Sequence, residues 1–222
     1  MLLYVNAITE NVRRIMDEVH RFPHAKLVAV VKNRSMENIR HVLAAAPKHI
    51  AFSRVQEAQE KLPFLSFPGT VHMIGRLQKN KVKKAVGIFD VIESVDCVSL
   101  AKKIDVEAQK LGKIMPVFLQ VNIANDPQKA GFSEEELFQL LPDISLLSHV
   151  QICGLMTIGF RHASTAETRQ TFSHLRRLRD TLLDKELLPP SATDLSMGMS
   201  NDYRIALEEG ATHVRVGSRL FE

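Results

Sequence analysis

The chain has 222 residues, 45% of them hydrophobic, and carries a formal charge of +4 from 29 Lys and Arg against 25 Asp and Glu. That suits one full core of the size of a single α/β barrel domain, expected to span 1–222. The mildly basic balance favours anionic ligands without marking a nucleic-acid binder, and no apolar run is long enough to span a bilayer.

The opening MLLYVNAITENVRRIMDEVH has no basic start, long apolar region or small-residue cleavage site, so it reads as neither a signal peptide nor a membrane anchor. Val5, Ile8, Val12, Ile15 and Val19 recur at spacings of three and four. This predicts a leading helix within 1–22, from about Asn6 to the RFPH break. A different rhythm follows. Short apolar runs stand at LVAVV (27–31), HIAFS (49–53), TVHMIG (70–75), DVIESV (90–95), PVFLQV (116–121), QICGLM (151–156), DLSMG (194–198) and HVRVGS (213–218). Continuous apolar strands of this kind belong in a parallel sheet covered on both faces.

Helical patterns lie between them. SMENIRHVLAAA opens on Ser35 as N-cap, with apolar Ile39, Val42 and Leu43; CVSLAKKIDVEAQKLG stops at Gly112. SEEELFQLL starts with Ser133 and three acids, suited to the positive end of a helix dipole. TAETRQTFSHLRRLRDTLLDKE sets Phe172, Leu175, Leu178 and Leu182 on one face, and SNDYRIALEEG runs from a Ser to a Gly. Strand and helix alternate eight times after the leading helix, which predicts a closed (β/α)8 TIM barrel rather than an open doubly wound sheet.

The working face of such a barrel lies at the C-terminal ends of its strands. Lys32 follows the first strand. It either caps the strand toward water or stands partly desolvated in the barrel mouth, where a lowered pKa frees its amine to attack a carbonyl. Strands seven and eight leave through LSMGMSND and VRVGSRL. Gly198, Met199, Ser200, Gly217 and Ser218 are therefore candidates for one phosphate cradle of backbone N–H groups and hydroxyls. If Val214 and Val216 face the helices, Arg215 faces inward, and a buried arginine needs a partner. An amine, a phosphate cradle and an inward arginine together suit pyridoxal 5′-phosphate (PLP). The arginine, which only donates hydrogen bonds, would meet the ring nitrogen.

The sequence also resembles the pyridoxal-phosphate homeostasis proteins, a single-domain group with an alanine-racemase-like barrel. The resemblance covers nearly the whole chain. It rests on LVAVVKNRS (27–35), RVQEAQEK (54–61), HMIGRLQKNKVKK (72–84), QVNIANDPQKAGF (120–132), GLMTI (154–158) and LSMGMSNDYRIALEEGATHVRVGSRLF (195–221). It implies that Lys32 carries PLP as an internal aldimine and that Arg215 contacts the pyridine nitrogen. Ser200, Gly217 and Ser218 hold the phosphate, with Met199 lending backbone. It further implies a monomer in the cytoplasm that serves PLP homeostasis without dedicated catalysis, with PLP-dependent apoenzymes as recipients and neither nucleic acid nor membrane as partner. Three departures stand out. Ala51-Phe52-Ser53 replaces the family's usual Gly-Glu-Asn, which puts the ring-side contact of Ser53 in question. Val31 stands where Ser is common, and only a minimal closing helix fits before Glu222.

Other features have plain readings. Cys97 and Cys153 have no metal or redox spacing and read as two free, buried thiols of a reducing cytoplasm. Lys79, Lys81, Lys83 and Lys84 form a solvated helix face without interleaved aromatics. His72 and Arg76 either line the pocket or, for His72, belong to the core. Pro23 breaks the helical spacing of His20 and His24, which argues against zinc. Met156 and Met197 pack the pocket. Two further functions share the fold. A PLP-dependent amino-acid racemase needs two acid/base groups. In the racemases the second is a tyrosine from another domain, whereas Tyr4 falls in the leading helix and Tyr203 follows the phosphate loop as a packing residue. A lysine aldolase acting on a sugar phosphate would leave the inward Arg215 unexplained.

Overall fold

The computed structural model describes residues 2–123, 129–160 and 163–222. Residues 124–128 of the QVNIANDPQKAGF stretch, and the side chains of Tyr4 and Val5, lie outside what is described. The described strands form one closed parallel barrel: β1 (Lys26–Val30), β2 (His49–Phe52), β3 (Thr70–Met73), β4 (Val91–Val95), β5 (Met115–Gln120), β6 (Val150–Met156), β7 (Asp194–Met199) and β8 (His213–Val216). Each strand pairs with the next in sequence, and β8 closes on β1 with Val28 opposite Arg215 and Ala29 opposite Val216. All eight runs read from the sequence are strands, with ends displaced by two residues at most.

Seven helices connect them: α2 (Met36–Leu43), α3 (Val55–Lys61), α4 (Val82–Ile88), α5 (Val98–Lys110), α6 (Glu134–Ser145), α7 (Thr165–Asp184) and α8 (Tyr203–Glu208). After β8 the described residues make a single 3-10 turn, Ser218–Leu220. The leading helix α1 (Leu2–His20) packs against β1, α2 and that turn, and so takes the outer seat a helix after β8 would fill. Its stripe Ile8, Val12, Ile15 and Val19 is buried to within 1% exposure.

Caps and breakers set the helix limits. Ser35 accepts the Asn38 N–H, and Ser133 and Ser164 form capping boxes with Glu136 and Glu167. Gly112 takes φ 61 just past α5, as a helix-ending glycine does. The α6 helix runs through Pro142 to Ser145, beyond the expected end at Leu141. The last helix begins at Tyr203, not at Ser200, whose hydroxyl pairs elsewhere, with the Gly217 N–H.

Period-two alternation sorts the strand side chains. Leu27, Ala29, Val31, Ile50 and Phe52 join the large core between sheet and helices, whereas Val28, Val30 and Ala51 form a separate small cluster inside the barrel. Much of the interior is otherwise polar: Glu93, His72, Ser196, His213 and Arg215 are all below 5% exposure.

Candidate functional site

Strands β7, β8, β1 and β2 are successive neighbours, and the C-terminal ends of these four carry every residue singled out for cofactor binding. Met199 is the last residue of β7 and Ser200 follows it. Arg215 lies in β8, opposite Met199 in register, with Gly217 and Ser218 just beyond. Lys32 stands two residues past β1 and Ser53 one past β2.

Arg215 faces inward and is 4% exposed. Its Nη1 donates to Ser196 Oγ at 2.6 Å and its Nη2 to the Thr157 carbonyl at 2.8 Å. Ser196 Oγ donates in turn to Glu93 Oε2 at 2.6 Å, and Glu93 Oε2 lies 3.9 Å from Arg215 Nη1. The other carboxylate oxygen of Glu93 accepts from His72 Nδ1 at 2.7 Å, and His72 Nε2 lies 3.0 Å from His49 Nδ1. A hydrogen-bonded chain thus runs down the barrel interior from the mouth to the first residue of β2. Burial alone would push the Glu93 carboxyl up, but the His72 hydrogen bond and the charges of His72 and Arg215 outweigh it and lower the pKa to about 2. Burial lowers the Arg215 pKa, opposed by Glu93 and Asp202, yet a guanidinium stays charged in proteins. The expected partner of the arginine is therefore Glu93, through Ser196. Sequence reasoning did not name either. A carboxylate in the otherwise apolar run DVIESV is the signal that could have found Glu93.

His72 is a core residue at 1% exposure, bonded to Glu93 and His49, and not a pocket liner. Arg76 is exposed, 3.7 Å from Asp96. It borders a cleft of about 200 Å³ at the mouth, with Ile74, Gln120, Lys129 and Ile158. A larger cleft, about 650 Å³, lies between α1 and α8 among Arg13, Glu18 and Arg204, away from the strand ends.

The two Gly-Ser loops meet directly. Ser200, 8% exposed, accepts the Gly217 N–H at 3.0 Å, which leaves its own hydroxyl hydrogen to donate. Ser218 is exposed at the head of the 3-10 turn. Gly198 holds φ +87, and a Cβ there would meet the Ala206 Cβ at 2.5 Å. The Met199 N–H, expected to face a phosphate, donates instead to Asp202 Oδ1 at 2.5 Å. Burial raises the Asp202 carboxyl pKa, opposed by that N–H and by Arg215.

Lys32 departs from expectation. The ladder continues one step past β1, with the Val31 N–H on the Ala51 carbonyl at 3.0 Å, before the chain turns. Lys32 is exposed rather than partly enclosed by the barrel mouth, and Asn33 takes the left-handed φ of 56. Ser53 is half-buried. Its carbonyl lies 2.2 Å from where Gly75 would carry a Cβ, so only glycine lets the loop after β3 cross it.

Met156 and Met197 are fully buried packing residues. Tyr203 is 1% exposed and donates its hydroxyl to Glu18 at 2.6 Å, which fits packing. Cys97 and Cys153 are free but half-buried, less covered than expected; burial and the Asp194 charge push the Cys153 thiol up to about 11. Among the described residues no His, Cys, Asp and Glu group fits a metal, and no helix is long and apolar enough to cross a membrane.

The alanine racemase N-terminal domain family matches residues 3–222. The pyridoxal phosphate homeostasis protein of Synechocystis sp. is 40% identical over 201 residues, 90% of this chain and 91% of that protein. PipY of Synechococcus elongatus, solved with PLP bound, superposes with TM-score 0.89 at 38% identity, over 97% of this chain and 100% of that one. Alanine racemase from Corynebacterium glutamicum shares the fold at TM-score 0.78 and 16% identity, over 97% of this chain and 60% of the racemase.

Proposed function

This chain belongs to the pyridoxal phosphate homeostasis protein family, and from that membership we propose that it holds PLP at the barrel mouth and serves PLP homeostasis without dedicated catalysis. One observation carries the reading: four adjacent strand ends gather a primary amine, a buried guanidinium and two interlocked Gly-Ser loops. That donor set fits the cofactor. PLP supplies an aldehyde that condenses with a primary amine and releases water, beside a pyridine nitrogen and a phosphate.

Lys32 is the amine. Its solvent exposure keeps the anchor open to exchange, which suits a protein that releases what it holds. Arg215 meets the pyridine nitrogen with its uncommitted N–H donors. Because a guanidinium only donates, it keeps that nitrogen unprotonated and the ring a weak electron sink. Ser196 and Glu93 fix the guanidinium from below. Ser200 offers its hydroxyl hydrogen to the phosphate, joined by Ser218 and the backbone of the Gly217 turn. Met199 contributes its 38% exposed side chain to the rim rather than its N–H. Ser53 stands at the ring side. Tyr203 is turned onto Glu18 and is not placed to act as an acid or base. The same reading assigns 1–222 as one binding domain, working as a monomer in the cytoplasm and passing PLP to PLP-dependent apoenzymes.

The test is the visible absorption of the purified protein with PLP, beside Lys32→Ala. The expected result is a band from covalently held PLP in the wild type and none in the variant. A band in both removes Lys32 as anchor, and no band in either removes PLP. Robust racemisation of an amino acid by the purified protein overturns the non-catalytic assignment.

A further inference from the structure

The turn that carries Lys32 is tied down on both sides. The Asn33 N–H, one bond beyond the Lys32 carbonyl carbon, donates to Glu57 Oε1 at 2.7 Å. Lys61 Nζ donates to the same oxygen at 2.6 Å and to the Arg34 carbonyl at 2.6 Å. Glu57 and Lys61 stand one turn apart on α3, with side-chain exposures of 11% and 19%. The second oxygen, Glu57 Oε2, is buried and has no hydrogen-bond partner among the described residues. A carboxylate oxygen buried in this way is costly, so the ion pair is built for more than a helix face. Arg34 is held from the other side, its guanidinium 4.1 Å above the Phe221 ring at the end of the chain. Asn33 holds a left-handed φ of 56, which asparagine adopts more readily than other non-glycine residues, and the Glu57 hydrogen bond fixes it there.

We propose that Glu57 and Lys61 are positioning residues for the Lys32 amine. They clamp the 31–34 turn from α3, so that an otherwise free and solvated side chain leaves its strand in one fixed direction, toward the mouth between β8 and β2. The RVQEAQEK stretch thereby holds the base on which the anchor stands. The inference rests on the reading of Lys32 as the covalent anchor. It adds that attachment depends on the clamp while the grip on phosphate and ring does not.

The experiment compares wild type, Lys32→Ala, Glu57→Ala, Glu57→Gln and Lys61→Met with two ligands. One is PLP, with the attached fraction trapped by borohydride and located by peptide mass. The other is pyridoxine 5′-phosphate, which carries an alcohol where PLP has its aldehyde and so reports phosphate and ring binding alone. The clamp predicts that Glu57→Ala lowers the rate and extent of attachment at Lys32 by about tenfold or more, as loss of orientation does. Pyridoxine 5′-phosphate binding should stay near wild type. Glu57→Gln, which can still accept the Asn33 N–H, should fall between, and circular dichroism checks that each variant is folded. Wild-type attachment in Glu57→Gln and Lys61→Met, or equal loss of both ligands, overturns the clamp and leaves Lys32 as anchor. Attachment that survives in Lys32→Ala removes the anchor, and the clamp with it.

Discussion

Glu93 sits at the centre of the barrel with its two oxygens on Ser196 and His72, and its charge answers Arg215 across 3.9 Å. Two more titratable groups share that interior. Burial, with the charges of His72 and Lys26, lowers the His49 pKa to about 4; burial lowers that of His213 to about 3 despite the opposing Glu93 charge. Both imidazoles bind a proton less readily folded than unfolded, where the value is 6.5, and Glu93 is likewise held at about 2 against 4.5. In all three the unfolded chain takes up protons first as pH falls. The stability they contribute is complete above about pH 6.5. It declines from there toward pH 3 as the histidines charge, and Glu93 adds its share below 4.5. The loss is greater for the nearly enclosed His213 than for the partly solvated His49. Urea midpoints at pH 7, 5.5 and 4 should fall in that order; a flat series would show that the interior histidines do not report on folding. At this scale the sequence was legible where a residue type is itself a signal. An arginine between two outward valines had to face inward, and it does. Its companions Ser196 and Glu93 went unnamed, because they acquire meaning only when strands seven and four close around a common axis.

Elements were more legible than their junctions. Alternation of apolar runs and amphipathic stretches found all eight strands, because period two and period 3.6 are set by burial alone. What the pattern missed were the turns. Strand β1 stops one residue earlier than its apolar run and hands Lys32 to solvent. Likewise Ser200, expected at a helix start, reaches across to the next strand's loop. Such features depend on backbone dihedrals and cross-strand partners rather than on hydrophobicity. The β7–α8 turn shows how tightly one is built. Gly198 combines a left-handed φ with a Cβ position already occupied by Ala206 and Tyr203. Gly198→Ala should cost about 1–3 kcal/mol of stability from strain and overpacking, read by denaturant titration. It should also weaken PLP binding, because the same turn presents Met199 and Ser200.

The whole molecule is a ring whose circle is completed by its first and last strands. The proposed site lies across that join: its anchor and ring-side serine come from β1 and β2, its arginine and phosphate loops from β7 and β8. Helix α1 covers the join from outside. Asn11 donates to the Glu222 carbonyl at 2.7 Å, and Glu18 accepts from both Tyr203 and Arg204. The two halves of the site are therefore about as far apart in sequence as the chain allows, and they meet only when the long-range β1–β8 pairing forms, the slow and entropically expensive contact of such a fold. At the proposed site, bound PLP would draw on opposite ends of the chain at once, as a staple across the seam. Ligand at about a hundred times its dissociation constant should add about 2.7 kcal/mol to the closed ring. Amide exchange along β1 and β8 should slow more than along β4 and β5. A protein that handles PLP in this way would also gauge its supply, since the filled and empty rings would differ in how often the seam comes undone.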